Sequence, residues 1–554
     1  MTRPLLFAAA LLAGGCATQA PPPLAAARPG VLAACEDLAR FAHPKTVIAS
    51  AARVPAGTLN VAGRPVGEHC LVSGRMAERT SAVDGQSYAI GFQMRLPAQW
   101  NGRFFHQGNG GLDGFVQPAV GLVGGGGELS HALAQGFAVL SSDAGHSVRQ
   151  LPMFGRDPQA RLDYGYQAVG TLTPMAKALV AAAYGRAPDR SYFGGCSNGG
   201  RHAMVAASRY AADYDGFLAG NPGFQLPKAA LAQLAGAKLL LPVATTNDLG
   251  SAFTPAERQF VAGRIVARCD TLDGAADGAV GDVAACQRTF NLQADVPTCT
   301  GERNGQCLSA AQKTMLDKVF AGATDSKGQR LYAPFPWDPG LAGADWAGWK
   351  FVSSVTNRDP VAVAYVFQTP PADDSAAAEP KAFALGFDLD RGTALINATS
   401  GPYTESSMQF MTPPGDTDLA AMRARGGKLV VYHGNADGVF SASDTTAWIE
   451  RVGQRHADAP AFARLFVVPG MNHCRGGPAT DQFDLLSPLV KWVEQGQAPD
   501  AVVAQARGAG NAVPNPEVPA AWAPNRTRPL CAWPKVARYK GSGDIERAEN
   551  FACQ

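Results

Sequence analysis

The sequence predicts an α/β fold, a largely parallel sheet whose chain is interrupted by a large inserted domain. Three observations carry this. The runs at residues 428–432 (Lys-Leu-Val-Val-Tyr) and 464–468 (Arg-Leu-Phe-Val-Val) are apolar almost throughout, the pattern of strands covered on both faces. Such runs alternate with helical stretches, as at residues 419–425 and 447–452, which points to repeated strand-helix units. Between Gly223 and about Met411 the strands thin out, and helical patches at 231–241, 255–267 and 310–319 alternate with cysteines and acidic turns. That stretch reads as an insertion.

The composition agrees with a large folded core and excludes two classes of protein. Of 554 residues, 46% are hydrophobic and 17% charged, which rules out a disordered or collagen-like chain. Lysine and arginine number 48 against 46 acidic residues, a net charge of +2 with no long basic run, so no nucleic acid partner is expected.

In chain order, residues 1–16 carry one arginine, an apolar run too short to span a bilayer, and Ala13-Gly14-Gly15 before Cys16, the form of an export signal. Small residues directly before a cysteine resemble the lipobox of bacterial lipoproteins, where that cysteine is lipidated, although Ala13 stands where a leucine is usual. The alternative is plain secretion with Cys16 removed. The protein is therefore expected to be exported: periplasmic, secreted, or tethered to the outer membrane only through a lipid on Cys16. Residues 17–30, rich in Ala and Pro, read as a linker. The α/β domain is expected over residues 31–223 and 412–554, with the insertion at 224–411. In its first part, strands at 103–105, 137–141 and 191–194 each feed a loop: Gly108-Asn109-Gly110-Gly111, a turn at Asp143, and Gly195-Cys196-Ser197-Asn198-Gly199. The last segment, 526–554, is a tail bounded by cysteines.

The third of these loops fits G-x-S-x-G between a strand and a helix-compatible run at 201–209. A serine on such a turn projects its hydroxyl above the sheet beside a helix N-terminus, and the crowding of the turn needs glycines on both sides. The alternative is a glycine-rich turn without chemistry. Serine becomes nucleophilic only when a base takes its proton, so an acid and a histidine should follow in the order Ser, Asp, His. Asp437 lies directly after the strand at 428–432, and His473 directly after the strand at 464–468. His106, His146 and His433 also lie near strand ends but precede the acid, and read as structural or supporting residues. The developing oxyanion needs two backbone donors. The amide of Asn198 is one, and the Gly108–Gly111 loop is the candidate for the other.

Eleven cysteines are an odd number, but with Cys16 in the signal ten remain, an even count that favours disulfides over zinc in an exported chain. Cys196 before the serine and Cys474 after the histidine resemble the tannase/feruloyl esterase family, whose members bond these two cysteines to each other. Other stretches, among them Trp100-Asn101-Gly102-Arg103-Phe104-Phe105 and Arg538-Tyr539-Lys540-Gly541-Ser542-Gly543-Asp544, are most similar to the bacterial branch that hydrolyses mono(2-hydroxyethyl) terephthalate. The resemblance covers nearly all of the chain after Cys35. It implies an α/β-hydrolase core with the insertion as a lid, Gly111 as the second oxyanion donor, a Cys196–Cys474 bond, and the pairs Cys35–Cys70, Cys269–Cys286, Cys299–Cys307 and Cys531–Cys553.

It also implies a structural Ca²⁺ in the lid, with Asp270, Asp273 and Asp277 supplying carboxylates and Ala275 and Ala279 backbone carbonyls. Calcium takes six to eight oxygens, and an acidic glycine-rich loop can wrap one; read without the resemblance, the same segment is an acidic surface turn. Terephthalate monoester hydrolases carry a lid arginine for the free carboxylate and aromatic residues around the ring. Here Val352 stands where a tryptophan is expected, Arg358 neighbours the arginine position, and Phe367 matches an aromatic one. Arg358 could instead pair with Asp359, and Phe367 could be lid core. The expected activity is serine-type hydrolysis of small aromatic-acid esters, with mono(2-hydroxyethyl) terephthalate first and hydroxycinnamate or gallate esters as alternatives. A non-catalytic calcium-binding surface lipoprotein on the same fold is the reading from another class.

Overall fold

Nine strands form one sheet in the computed structural model, which describes residues 23–123, 128 and 130–554. They are β1 (Thr46–Val54), β2 (His69–Thr80), β3 (Ser87–Pro97), β4 (Arg103–Gly108), β5 (Ala138–Ser142), β6 (Arg190–Cys196), β7 (Gly216–Gly220), β8 (Lys428–Gly434) and β9 (Ala463–Val468). Their order across the sheet is β9-β8-β7-β6-β4-β5-β3-β2-β1. The six from β9 to β5 run parallel, whereas β3, β2 and β1 form an antiparallel extension, β3 pairing with β5 in the register Phe92–Ser142. The sheet is thus mixed, with more antiparallel pairing than the sequence suggests. β1 has no fully buried residue, and β2 mixes buried with exposed positions, so they lack the continuous apolar stretch that marks a doubly covered strand.

The parallel strands show why both faces must be covered. Phe104, Phe193, Phe217, Leu429 and Leu465 point to one core with helices α1 (Ala168–Tyr184) and α2 (Asn198–Arg209). Their neighbours Phe105, Tyr192, Leu218, Val430 and Phe466 point to a second core, with Leu489 and Trp492 of the helix Leu486–Gln495. Side chains alternate along a strand, so each apolar run supplies two cores at once.

The insertion packs a third core, which also takes in Tyr88, Phe154, Tyr164, Val439 and Phe440 from the α/β domain. Its elements include helices α3 (Leu226–Leu240), α4 (Pro255–Cys269) and α5 (Ala310–Phe320), followed by two wide-turned π-helical stretches, Gly348–Asn357 and Ala362–Phe367. α4 starts on a capping box in which Thr254 and Glu257 satisfy each other's backbone amides. Five disulfides join Cys35–Cys70, Cys196–Cys474, Cys269–Cys286, Cys299–Cys307 and Cys531–Cys553, the pairs that the resemblance implies.

The segment before β1 is not a free linker where it is described. The Leu24 amide bonds the Val493 carbonyl, the Ala27 amide bonds Glu494, and Gly30–Val31 pairs antiparallel with Gln99–Trp100. Cys16 and residues 17–22 lie outside the described residues, and among those described no helix is long and apolar enough to cross a membrane.

Candidate active site

Strand β6 ends at Cys196 and helix α2 begins at Asn198, leaving Ser197 alone on the turn with φ 65° and ψ −126°. A non-glycine residue held at positive φ is strained and persists only where the surroundings enforce it. The surroundings here are the loop after β4. A Cβ on Gly195 or on Gly199 would lie 2.3 Å from the Gly108 carbonyl oxygen, so only glycine lets that loop approach.

Asp437 follows β8 and is buried. Its Oδ1 accepts from the amides of Val439 (2.8 Å) and Phe440 (3.0 Å). Its Oδ2 accepts from Asn221 Nδ2 (2.8 Å) and His473 Nδ1 (2.8 Å), with His433 Nε2 at 3.2 Å. Burial would raise this carboxyl, but the charge of His473 and hydrogen bonds from His433 and His473 overcome it and hold the group far below the usual carboxylate range. His473 follows β9, and its Nε2 lies 2.8 Å from Ser197 Oγ. With Nδ1–H donated to Asp437, Nε2 is left to accept the serine proton. The Cys196–Cys474 disulfide, with Cα atoms 6.1 Å apart, joins the residue before Ser197 to the residue after His473.

The Gly108–Gly111 loop reaches the serine: a Cβ on Gly110 would lie 3.8 Å from Ser197 Cβ. The Gly111 carbonyl accepts from Tyr164 Oη at 3.0 Å, and among the described residues the amides of Gly111 and Asn198 donate to no protein acceptor. His106, His146 and His433 sit apart from Ser197: His106 bonds Tyr214, His146 bonds the Leu112 carbonyl, and His433 bonds Thr445 and the Phe440 carbonyl.

The lid and the loop after β8 supply the rest. The Trp349 and Phe440 rings pack edge-on against His473 at 5.1 and 5.4 Å, and the Arg358 guanidinium lies 4.9 Å from Trp349 and 5.6 Å from Phe440. Arg358 Nη1 is 3.1 Å from Asp359 Oδ1, yet the two are misaligned, so Nη1 and both Asp359 oxygens lack a hydrogen-bond partner. Trp349 was not legible in the sequence. Residues 348–357 wind as a π-helix, which shifts side chains off the ordinary helical period, and Val352 ends up 47% exposed. Phe367 is buried in the lid core, 1% exposed.

In the acidic loop, Asp270 accepts from the amides of Asp277 and Gly278, Asp273 from Ala275, and Asp277 from Ala279, while Arg528 pairs with Asp277. Burial, with Asp277 and Asp270 adding repulsion, pushes Asp273 up to about 6. Three like charges on one loop, with the Ala275 and Ala279 carbonyls accepting no hydrogen bond among the described residues, fit a hard cation in kind. No group of three or more His, Cys, Asp or Glu among the described residues is gathered tightly enough to hold a metal as it stands.

A nucleophile elbow on a parallel sheet, with a histidine and a carboxylate delivered by later strands, defines a serine hydrolase of the α/β-hydrolase class. The chain belongs to the tannase and feruloyl esterase family, whose sequence profile matches residues 70–554. The mono(2-hydroxyethyl) terephthalate hydrolase of Piscinibacter sakaiensis is 41% identical over 564 residues, covering 94% of this chain and 91% of the relative. Feruloyl esterase B from Aspergillus oryzae has a solved structure that superposes with a TM-score of 0.74 at 25% identity, over 94% of this chain and 99% of its own. Another esterase from Aspergillus oryzae superposes at TM-score 0.75 and 23% identity over the same shares, a likeness of fold. The protein is a carboxylic ester hydrolase.

Proposed function

We propose that this enzyme hydrolyses small esters of aromatic acids in two steps, with mono(2-hydroxyethyl) terephthalate as the preferred type of substrate. Ser197 Oγ attacks the ester carbonyl as His473 Nε2 takes its proton. Asp437 stabilises the imidazolium, and the amides of Gly111 and Asn198 hold the oxyanion, each donor contributing about 2.7–4 kcal/mol in enzymes of this type. The tetrahedral intermediate collapses, the C–O bond to the alcohol breaks, and His473 returns the proton to the leaving oxygen. A water deprotonated by His473 then attacks the acyl-serine and releases the acid.

The observation that carries the substrate class is Arg358. Its Nη1 is free of hydrogen-bond partners, and its guanidinium lies against the two rings that border His473. A planar guanidinium there suits a carboxylate at the far end of an aromatic ring. The likeness to feruloyl esterase B favours a second reading, hydrolysis of hydroxycinnamate or gallate esters, with Arg358 left to Asp359. Rates on mono(2-hydroxyethyl) terephthalate, methyl ferulate and a gallate ester, measured for the parent, Ser197→Ala and Arg358→Ala, decide between them. Equal rates for the parent and Ser197→Ala would sink the enzymatic role of Ser197; loss on the terephthalate monoester alone in Arg358→Ala supports the first reading, and equal loss on all three overturns it.

The Asp270–Ala279 loop is proposed to bind structural calcium, which would offset the repulsion among Asp270, Asp273 and Asp277 and rigidify the lid. Thermal unfolding with calcium and with chelator tests this, an unchanged midpoint counting against it. The form of residues 1–16 supports export, with a lipid on Cys16, testable by mass measurement of the mature N-terminus.

A further inference from the structure

The two amides assigned to the oxyanion come from different parts of the chain, Gly111 from the loop after β4 and Asn198 from the first turn of α2. Nothing in either segment alone sets the distance between them. The Asn198 side chain bridges the gap, through a long contact of Nδ2 with the Asn109 carbonyl at 3.4 Å and a shorter one with Asp113. Asp113, two residues past Gly111, is buried with φ 55°, and its Oδ2 accepts from Asn198 Nδ2 at 2.8 Å. His202 Nε2, one turn along α2, lies 3.2 Å from the same oxygen. The other end of the Asn198 side chain is also held, because its Oδ1 accepts from Arg201 Nε at 2.7 Å. The Asn198 amide group therefore has a single orientation, with its NH₂ toward the loop.

The loop is held in turn. The Asp113 amide donates to the Gly110 carbonyl at 3.2 Å, closing a turn around Gly111, while Tyr164 grips the Gly111 carbonyl. Burial pushes the Asp113 carboxyl well above its usual range, and its Oδ2 takes both the Asn198 and the His202 contacts; buried groups hydrogen-bonded in this way rigidify what they join. The triad uses none of these groups.

We propose that Asp113 is a positioning residue that sets the spacing of the two oxyanion donors by anchoring Asn198. This rests on the esterase reading above. Positive φ at residue 113 suits glycine and asparagine as well as aspartate, so Asp113→Gly removes the strut without strain and Asp113→Asn keeps an acceptor oxygen in its place. The test measures the rate at which an aryl phosphonate ester phosphonylates Ser197. That reaction needs the oxyanion donors but not the natural substrate, and its amplitude counts folded sites. Asp113→Gly should slow the rate per active site by about tenfold or more, on the scale that loss of an oxyanion donor has elsewhere. Asp113→Asn should restore it to within about threefold of the parent. Asn198→Ala should resemble Asp113→Gly, and the double variant should be no slower than either, because both remove one strut. A rate in Asp113→Gly within twofold of the parent, or additive losses in the double variant, overturns the role of Asp113 while the esterase reading stands. A Ser197 that is inert in the parent protein overturns both.

Discussion

The Trp349 and His473 rings stand 5.1 Å apart at 79°, edge to face, although one belongs to the lid and the other to the loop after β9. The Arg358 guanidinium lies 4.9 Å from the centre of the same Trp349 ring. A substrate ring lying along Trp349 would thus run from the reacting carbonyl toward a cation. The resemblance expects a tryptophan at position 352, where this chain has valine, and Trp349, three residues earlier, is the one that packs on His473.

Trp349→Ala should therefore weaken binding of aromatic acid esters. An aromatic contact of this kind is worth about 0.5–1.5 kcal/mol beyond burial, so KM should rise by roughly 2- to 13-fold. Val352→Ala, on the outer face, should leave kcat/KM within about twofold. Steady-state kinetics on a terephthalate monoester checks both; equal effects would put the aromatic contact elsewhere.

The disulfide Cys196–Cys474 closes 278 residues of sequence, whereas Cys299–Cys307 closes 8. In the chain-entropy account these correspond to about 5.6 and about 2.5 kcal/mol of constraint on the unfolded chain. Only the first also tethers the serine turn to the histidine loop. Cys196→Ser/Cys474→Ser should lose at least about tenfold in kcat on folded enzyme, because a small misplacement of reacting groups slows chemistry strongly. Cys299→Ser/Cys307→Ser should keep its kcat and lose only thermal stability, as read by unfolding midpoints beside active-site titration.

Five of the six parallel strands were legible because each fills two cores, leaving runs such as Leu429-Val430-Val431 with no polar break, whereas β7 was not, its three apolar residues being bounded by Gly216 and Gly220. The Ser, Asp and His loops were legible for a related reason, since each directly follows such a run. β1 and β2 were not, because long antiparallel strands with one partly wet face spread their apolar residues among Arg, Glu and Ser. The Asp113–Asn198 contact spans 85 residues and has no local pattern. Trp349 was hidden by the π-helical winding, which no 3.6-residue period reports.

Asp437→Asn should leave the fold intact and lower kcat by roughly 10⁴-fold, because an amide can favour the wrong imidazole tautomer. The pH dependence has a defined sign. The folded value lies below the unfolded one of about 3.9, so the carboxylate stabilises the protein above about pH 4, and this stability is lost as the pH falls further. The gap in stability between the parent and Asp437→Asn should therefore narrow in acid. Denaturant midpoints between pH 6 and pH 3 measure it, and a constant gap would contradict the assignment.

Lys350 gives the opposite kind of dependence. It is buried in the lid, with Nζ 3.1 Å from Gln233 Oε1 and 3.5 Å from the centre of the Phe335 ring, and Gln233 bonds the Gly438 and Val439 carbonyls beside Asp437. Burial lowers the Lys350 ammonium to about 7, against the attraction of Asp437 and Asp359. In the unfolded chain it titrates near 10.4. Between those values the unfolded state binds more protons, so Lys350 makes stability rise with pH, and the penalty it imposes is complete below about pH 7. Lys350→Met removes the titration and keeps the apolar stem. The variant should gain stability relative to the parent at pH 6, and that gain should shrink steadily toward pH 10. Unfolding midpoints across that range decide the matter: a gain independent of pH would mean that Lys350 is charged throughout, held by Asp359 and Asp437 rather than neutralised by the lid.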